Sequence, residues 1–431
     1  MILIQDCDLV AVMDDTGTEI AGGSILIDGG RITWVGKGRP AGAERAEVVD
    51  GRGLIAVPGL VNAHHHLFQV LTRVRAQEQG LFGWLTELYP VWARLDASWV
   101  RAAAAIGLAD LVRSGCSTTT DHHYVFPAGT SGLLEAEIEA AAALGIRFHP
   151  CRGSMDLGAS AGGLPPDSIV EEPEAVLAET EAAVQRFHDP NPGSMLRIAV
   201  GPCSPFSVSD RLMRESAALA RRLKVRLHTH IAETLEEEEF CRRRFGKRPI
   251  ELLQDQGYLG SDVWLAHCVH LSQDDVERLR ATGTAVASCP TSNGRLGSGI
   301  APVPELLAAG VRVGFAVDGS ASNDGGDMLA EVRQGMLMAR ARSGPAALSA
   351  RQALRIATRG GAACLGRDDI GSLEAGKRAD VALFQVDDRS ADGVADQVAA
   401  LVFLAPRPVH HLFIEGRAVV SAGQVRTGVP A

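Results

Sequence analysis

Three consecutive histidines, His64-His65-His66, close an apolar run, Val57-Pro58-Gly59-Leu60-Val61-Asn62-Ala63. On a buried strand side chains alternate between faces, so His64 and His66 share one face and His65 takes the other. Two imidazoles side by side are half of a metal site. Groups of the same kind recur downstream. His228-Thr229-His230 ends another apolar run, with Glu233 three residues beyond it. His267 closes Trp264-Leu265-Ala266, and Asp318 closes Val313-Gly314-Phe315-Ala316-Val317. A catalytic metal needs several nitrogen or oxygen ligands and one position left open for water. His230 is a third ligand candidate, and Asp318 can both ligate a metal and accept a proton. Glu233, just past a ligand, can reach water and substrate together, as a proton shuttle must. One such histidine or aspartate at a strand end commonly serves only a hydrogen bond. At four strand ends together, coincidence is a poor explanation.

The elements that must carry these groups are legible as a repeat. Eight short apolar runs each end in polar, reactive residues. They end at His64-His65-His66, Asp121-His122-His123, Pro150-Cys151-Arg152, Pro202-Cys203-Ser204, His228-Thr229-His230, His267-Cys268, Cys289-Pro290-Thr291 and Asp318-Gly319-Ser320. Helical patterns rich in Ala, Leu, Glu and Arg separate them, for example over 98–113, 174–187 and 211–223. Eight such repeats predict an α/β fold, a (β/α)8 TIM barrel over residues 58–365, with its chemistry at the C-terminal ends of the strands. A doubly wound open sheet is the alternative, but no Gly-rich dinucleotide fingerprint follows the first strand. Both ends of the chain are β-rich. Residues 24–36 read as a hairpin with a Gly29-Gly30 turn, and 379–384 and 411–420 read as further strands. Residues 1–57 and 366–431 are therefore expected to form one discontinuous β-sandwich domain.

Two motifs are set aside. Gly371-Ser372-Leu373-Glu374-Ala375-Gly376-Lys377 fits most of a P-loop, but Arg378 stands where Ser or Thr would hold Mg²⁺, and a strand follows; it reads as a turn. The charged run 236–248 reads as a solvated helix with Glu238–Arg242 and Glu239–Arg243 pairs.

Composition bounds the remaining classes. A chain of 431 residues, 46% hydrophobic and 22% charged, can bury a sizeable core. A net charge of −10 argues against nucleic acid or an anionic membrane as partner. No stretch is apolar enough to span a bilayer, and the first residues lack a signal-like pattern. Eight cysteines without a C-x-x-C pair read as reduced, buried thiols, which points to the cytoplasm. A cytidine-deaminase type of zinc site would need an H-x-E and P-C-x-x-C pair, which the chain lacks.

In this order, PGLVNAHHH, HTHIAET, LAHCVHL and AVDGSASND resemble the amidohydrolase superfamily, in its branch of cytosine, guanine, triazine and adenosine-type deaminases and chlorohydrolases. The resemblance covers essentially the whole chain, including GSLEAGKRAD near its end. It implies that His64, His66, His230 and Asp318 are metal ligands, Glu233 the proton shuttle, and His267 the histidine that polarises the attacking water. Binuclear members carry a carboxylated lysine on the fourth barrel strand. Here that strand, 196–203, has no lysine, so one metal per subunit is expected, Zn²⁺ with Fe²⁺ as the alternative. A homo-oligomer is implied in the same way.

Further segments, among them LTELYPVW, TTDHHYVFP, GPCSPFSVS and CPTSNGRLGSG, are similar to the 8-oxoguanine deaminases of this branch. Other members place a histidine before the Ser-Pro of the fourth strand, where this chain has Cys203, and that departure argues against thioadenosine and adenosylhomocysteine deaminases. The implied reaction is deamination of a small 2-amino-oxo heterocycle, 8-oxoguanine to urate and ammonia, with guanine or isocytosine as further substrates. Alternatives are a pterin or cytosine deaminase, a triazine hydrolase, or a non-catalytic binding protein of the same fold. Gln69, whose amide can donate and accept, suits a lactam edge. Trp84 could stack on a flat ring. Arg152 and Cys203 complete the candidate pocket. His65 is expected to be structural, and His122, His123, His149 and His228 to be core or supporting residues.

Overall fold

The computed structural model describes residues 1–386 and 393–426. Five strands open the chain: β1 (Ile2–Ala11), β2 (Glu19–Asp28), β3 (Arg31–Lys37), β4 (Glu47–Asp50) and β5 (Leu54–Pro58). Eight follow in the middle: β6 (Leu60–Asn62), β7 (Cys116–His123), β8 (Arg147–Ser154), β9 (Ala199–Pro202), β10 (Leu227–Ile231), β11 (Val263–His267), β12 (Ala285–Ser288) and β13 (Val313–Phe315). The last four are β14 (Val381–Gln385), β15 (His411–Ile414), β16 (Arg417–Ser421) and β17 (Gln424–Val425).

Strands β6 to β13 form one parallel sheet in strict chain order, as the eightfold repeat predicts. Ladders join each strand to the next, and none joins β13 back to β6. The Asn62 side chain spans that seam. Its Oδ1 accepts from Val317 N at 2.9 Å, and its Nδ2 donates to Thr119 Oγ1 on β7 at 3.0 Å. Two backbone bonds help, Ala63 N to Phe315 O and Asp318 N to His64 O. The barrel is nearly closed, and the seam lies between the two elements that carry His64, His66 and Asp318.

The barrel interior is a packed core. Small side chains, including Ala63, Ala199, Ala285, Ala287 and Ala316, surround Trp264, whose Nε1 donates to Ala63 O at 2.9 Å. A filled interior leaves only the strand ends for chemistry.

Among the described residues the second sheet has nine strands drawn from both termini, in the order β17-β16-β15-β14-β5-β1-β2-β3, with β4 beside β1. Antiparallel pairing of β14 with β5, Val381 opposite Pro58 through Gln385 opposite Leu54, joins the two ends of the chain. The expected hairpin is present, with Asp28 opposite Arg31 across Gly29-Gly30. Apolar residues of this sheet, among them Ile4, Ile25, Ile55's neighbour Ala56, Val381 and Phe413, make a cluster of their own. Part of the segment expected here, 387–392 and 427–431, lies outside the described residues.

The chain passes from one sheet to the other at Pro58-Gly59. A Cβ on Gly59 would sit 2.3 Å from Ser117 Oγ, so only glycine fits the approach of β6 to β7. The helices follow the periodicity closely, at Ala97–Arg113, Pro173–Phe187 and Asp210–Leu223. Asp96 and Ser209 cap the first and third by accepting backbone N–H bonds. The charged helix runs over Leu235–Phe245, with both expected pairs, at 2.9 Å and 3.8 Å. It stops short of 248 because Gly246 turns left-handed and Pro249 starts a new helix. Residues 371–377 form a turn leading to β14, which leaves no P-loop. All eight cysteines are free and buried. Among the described residues no helix is long and apolar enough to cross a membrane.

Candidate metal centre and active site

The strand ends bring His64, His66, His230, His267 and Asp318 together at the C-terminal mouth of the barrel. His64 and His66 follow β6, His230 lies on β10, His267 ends β11, and Asp318 lies three residues past β13. All are buried. Asp318 Oδ1 is 3.3 Å from both His64 Nε2 and His66 Nε2, and His66 Nε2 is 3.0 Å from His230 Nε2. His65 is absent from this group. It faces the helix Ala97–Arg113, where its ring approaches Gly107, as strand alternation requires.

Hydrogen bonding fixes which nitrogen faces the centre. His66 Nδ1 lies 2.7 Å from the carbonyl oxygen of His122, and His230 Nδ1 lies 2.8 Å from that of Cys203. A carbonyl only accepts, so each Nδ1 carries the proton. Burial, and then the surrounding imidazoles, push both histidines well below their ordinary pKa, so they are neutral. Both Nε2 atoms are then bare lone pairs, 3.0 Å apart, beside an aspartate oxygen. Such an arrangement repels itself unless a cation sits between the donors. Tetrahedral bonds of about 2.0–2.2 Å separate ligand atoms by roughly 3.3–3.6 Å, close to the spacing seen. The set therefore fits one divalent metal. His122 stacks on His230 with ring centres 4.8 Å apart, but its Nε2 donates to Gly201 O at 2.7 Å.

A second group adjoins the first. His267 Nε2 lies 3.4 Å from Glu233 Oε2 and 3.9 Å from Asp318 Oδ2. Its Nδ1 donates to Asn293 Oδ1 at 2.9 Å, which leaves Nε2 toward the two carboxylates. Burial lifts Glu233 to about 7, opposed by the charge of His267. Burial would lower His267, but the charges of Glu233 and Asp318 outweigh it and raise its pKa. Asp318 also feels burial, but the neighbouring imidazoles, the raised His267 among them, hold its carboxyl well below the ordinary range. One carboxyl is thus poised to hold a proton near neutrality while its neighbour stays ionised, the division of labour that general acid–base chemistry needs.

Support comes from residues that the sequence does not single out. Glu237 accepts from the backbone N–H of Ala232 at 2.9 Å and of Glu233 at 2.8 Å, and so fixes the turn that presents the Glu233 side chain. Ser292 Oγ donates to Asp318 Oδ2 at 2.6 Å. Ala232, His267 and Asp318 all have left-handed backbones, φ 53, 68 and 62. Strained non-glycine residues persist where surrounding contacts over-determine them, which is frequent at functional sites.

A narrow cleft opens over the centre. Gln69, Trp84 and Cys203 line it together with His66, His230, Glu233, His267 and Asp318. Its walls are Leu81, Leu85, Phe206 and Leu296, with Tyr89 and Tyr124. Gln69 is fully buried, and its Oε1 has no hydrogen-bond partner among the described residues. Its Nε2 is 3.5 Å from Tyr124 Oη. Arg152 is placed elsewhere. Cys151 packs inside the barrel, so the next residue faces outward. There Arg152 pairs with Glu171 and Glu179, both at 2.6 Å, and lies over the Phe126 ring. His123 also points outward, to Glu137 at 2.8 Å. Tyr124 was recoverable, since it follows the inward His122 by two residues. Tyr89, Phe206, Ser292 and Asn293 come from helices and turns whose approach to the mouth no local pattern encodes.

Known proteins resemble this chain along most of its length. The family described as the amidohydrolase family matches residues 55–419. The chain is 44% identical, over 96% of its length and 93% of the relative's, to an 8-oxoguanine deaminase from Pseudomonas aeruginosa. It is 40% identical, over 87% of its length and 80% of the relative's, to a hydroxydechloroatrazine ethylaminohydrolase from Pseudomonas sp. strain ADP. Among solved structures, atrazine chlorohydrolase from Arthrobacter aurescens TC1, complexed with zinc, superposes with a TM-score of 0.94 at 36% identity, covering 99% of this chain and 96% of that one.

Proposed function

The chain belongs to the amidohydrolase family, and on that premise we propose that it is a zinc-dependent deaminase of 2-amino-oxo heterocycles whose substrate is 8-oxoguanine and whose products are urate and ammonia. The observation that carries the chemistry is the set of unprotonated Nε2 atoms facing Asp318 Oδ1, next to the Glu233–His267 pair. His64, His66, His230 and Asp318 would hold one Zn²⁺ per subunit. An ion there lowers the pKa of a coordinated water toward neutrality.

The residues supply the proton movements. Asp318 Oδ2, steadied by Ser292 Oγ, takes the proton that water loses as its oxygen joins the ring carbon bearing the amino group. His267 Nε2, held by Asn293, stabilises the charge that develops beside it. Glu233 delivers its proton to the adjacent ring nitrogen, which keeps negative charge off the ring. Asp318 then passes its proton to the amino group, and the C–N bond breaks with release of ammonia. The proton of the newly attached hydroxyl returns to Glu233 as the carbonyl forms. Every atom of the water is accounted for, and both carboxyl groups end as they began.

The pocket supports a small, flat, amide-bearing ring. Trp84, Phe206 and the leucines offer apolar faces. The unpartnered Gln69 Oε1 can accept from a ring N–H, and Cys203 keeps the wall small and uncharged. A triazine is the second reading, favoured by the likeness to the triazine hydrolases. The test is ammonia release by the zinc-loaded enzyme from 8-oxoguanine, guanine, isocytosine, isoxanthopterin and cytosine, with atrazine monitored for loss of chloride. 8-Oxoguanine should give the highest kcat/KM. Ammonia from none of the five would sink the substrate reading.

A further inference from the structure

Each histidine facing the centre has its Nδ1 held from behind, but not by the same kind of group. His66 and His230 are held by backbone carbonyls, of His122 and Cys203. His64 is held by a side chain: its Nδ1 lies 2.7 Å from His228 Nε2. His228 Nδ1 in turn lies 2.7 Å from the carbonyl oxygen of Trp264. That carbonyl only accepts, so the His228 proton sits on Nδ1 and its Nε2 is a lone pair. His64 must then donate from Nδ1, which leaves its own Nε2 bare. Consistently, His64 Nε2 is buried and finds no hydrogen-bond partner among the described residues. One carbonyl thus sets two tautomers in series.

The His228 ring is itself immobilised. It stacks on Trp264 with centres 4.3 Å apart and planes 16° from parallel, and Tyr258 Oη donates to its backbone carbonyl at 2.8 Å. It is fully buried and does not line the cleft. We propose that His228 is a positioning residue that holds His64 in the tautomer and orientation needed to bind the metal, a side-chain support where His66 and His230 have backbone carbonyls. The proposal rests on the metal-centre reading above. Partners of this kind fix ring orientation and raise ligand basicity, and losing one costs about 10–100-fold in metal affinity.

The experiment measures Zn²⁺ affinity by chelator competition on metal-stripped full-length protein, wild type against His228→Phe and His228→Gln. Phe keeps the ring stacked on Trp264 but removes the acceptor, whereas Gln can place its Oε1 near the position of Nε2 and accept again. His228→Phe should weaken zinc binding by about 10–100-fold while the metal-free protein, though less stable, still melts cooperatively. His228→Gln should recover most of the loss. Wild-type affinity in His228→Phe, or equal losses in Phe and Gln, overturns the positioning role. His64→Ala serves as the control for the reading beneath it. If wild type binds no zinc, or His64→Ala binds as tightly as wild type, the centre itself is wrong and the proposal goes with it.

Discussion

Two buried polar clusters occupy opposite ends of the barrel and differ in how completely they satisfy themselves. At the junction of barrel and terminal sheet, Arg147 is fully buried and donates to the carbonyls of Gly193 and Ser194, to Asp380 and to Glu415. Glu415 also pairs with Arg378, and Asp380 Oδ1 accepts from Glu415 N. Charge meets charge and donors meet acceptors. At the mouth, lone pairs face one another, Gln69 Oε1 has no donor among the described residues, and the backbones of Ala232, His267 and Asp318 are left-handed. Burying an unmatched polar group costs free energy, so a natural chain retains such a group where a ligand will complete it. The junction is finished by folding, and the mouth is finished by what it binds.

Substitutions can break that division. The largest effect is expected from Glu233→Gln, which keeps the shape and removes the transferable proton. We expect kcat for ammonia release to fall by about 10²–10⁴ with zinc content unchanged, and full activity would remove Glu233 from the proton path. Arg147→Met is the mirror experiment. It leaves the buried Asp380 carboxylate without its charged partner, while Glu415 keeps Arg378, and this should cost about 3–5 kcal/mol in urea unfolding. kcat should hold, and a matching fall in kcat would mean that the two clusters are not separable.

A smaller effect tests the boundary between them. Glu331 is fully buried behind the mouth, yet both its oxygens have donors, Thr291 N at 2.8 Å and Asn323 Nδ2 at 3.0 Å. Burial nevertheless lifts its pKa from 4.5 to about 7, against those donors. The folded chain therefore keeps a proton that the unfolded chain releases near pH 4.5. This contribution is full below pH 4.5 and is lost as pH rises through 7, by about 3 kcal/mol. Glu331→Gln should flatten that part of the stability–pH curve, as read from urea midpoints between pH 4.5 and 7.5. An unchanged slope would assign the dependence to other groups.

Much of this is legible in the amino-acid sequence. The eight strand ends emerged from apolar runs alone, because parallel barrel strands are buried and their polar residues gather where they end. Period-two alternation separated His65 from His64 and His66. The same rule, applied to the inward Cys151, would have turned Arg152 away from the pocket, but a charged residue at a strand end drew a functional reading instead. Roles that depend on what a distant backbone carbonyl accepts, such as those of His228 and of the Cys203 carbonyl, leave no mark on local pattern. Ser292 and Asn293 lie in a short helical turn after β12, and its orientation is set by tertiary packing.

The Asn62 staple has a consequence for how the protein comes into being. It joins residues 255 positions apart, and the same seam divides the histidines at the start of the barrel from Asp318 at its end. Contacts of such sequence separation form late, because the intervening loop must close before they are rewarded. During synthesis the first two imidazoles leave the ribosome long before their carboxylate partner exists. The full donor set appears only when the eighth strand docks beside the first. On the proposed metal centre, capture of the ion would then be a checkpoint on completed assembly, because a chain halted before β13 carries its histidines but lacks the carboxylate that completes the set.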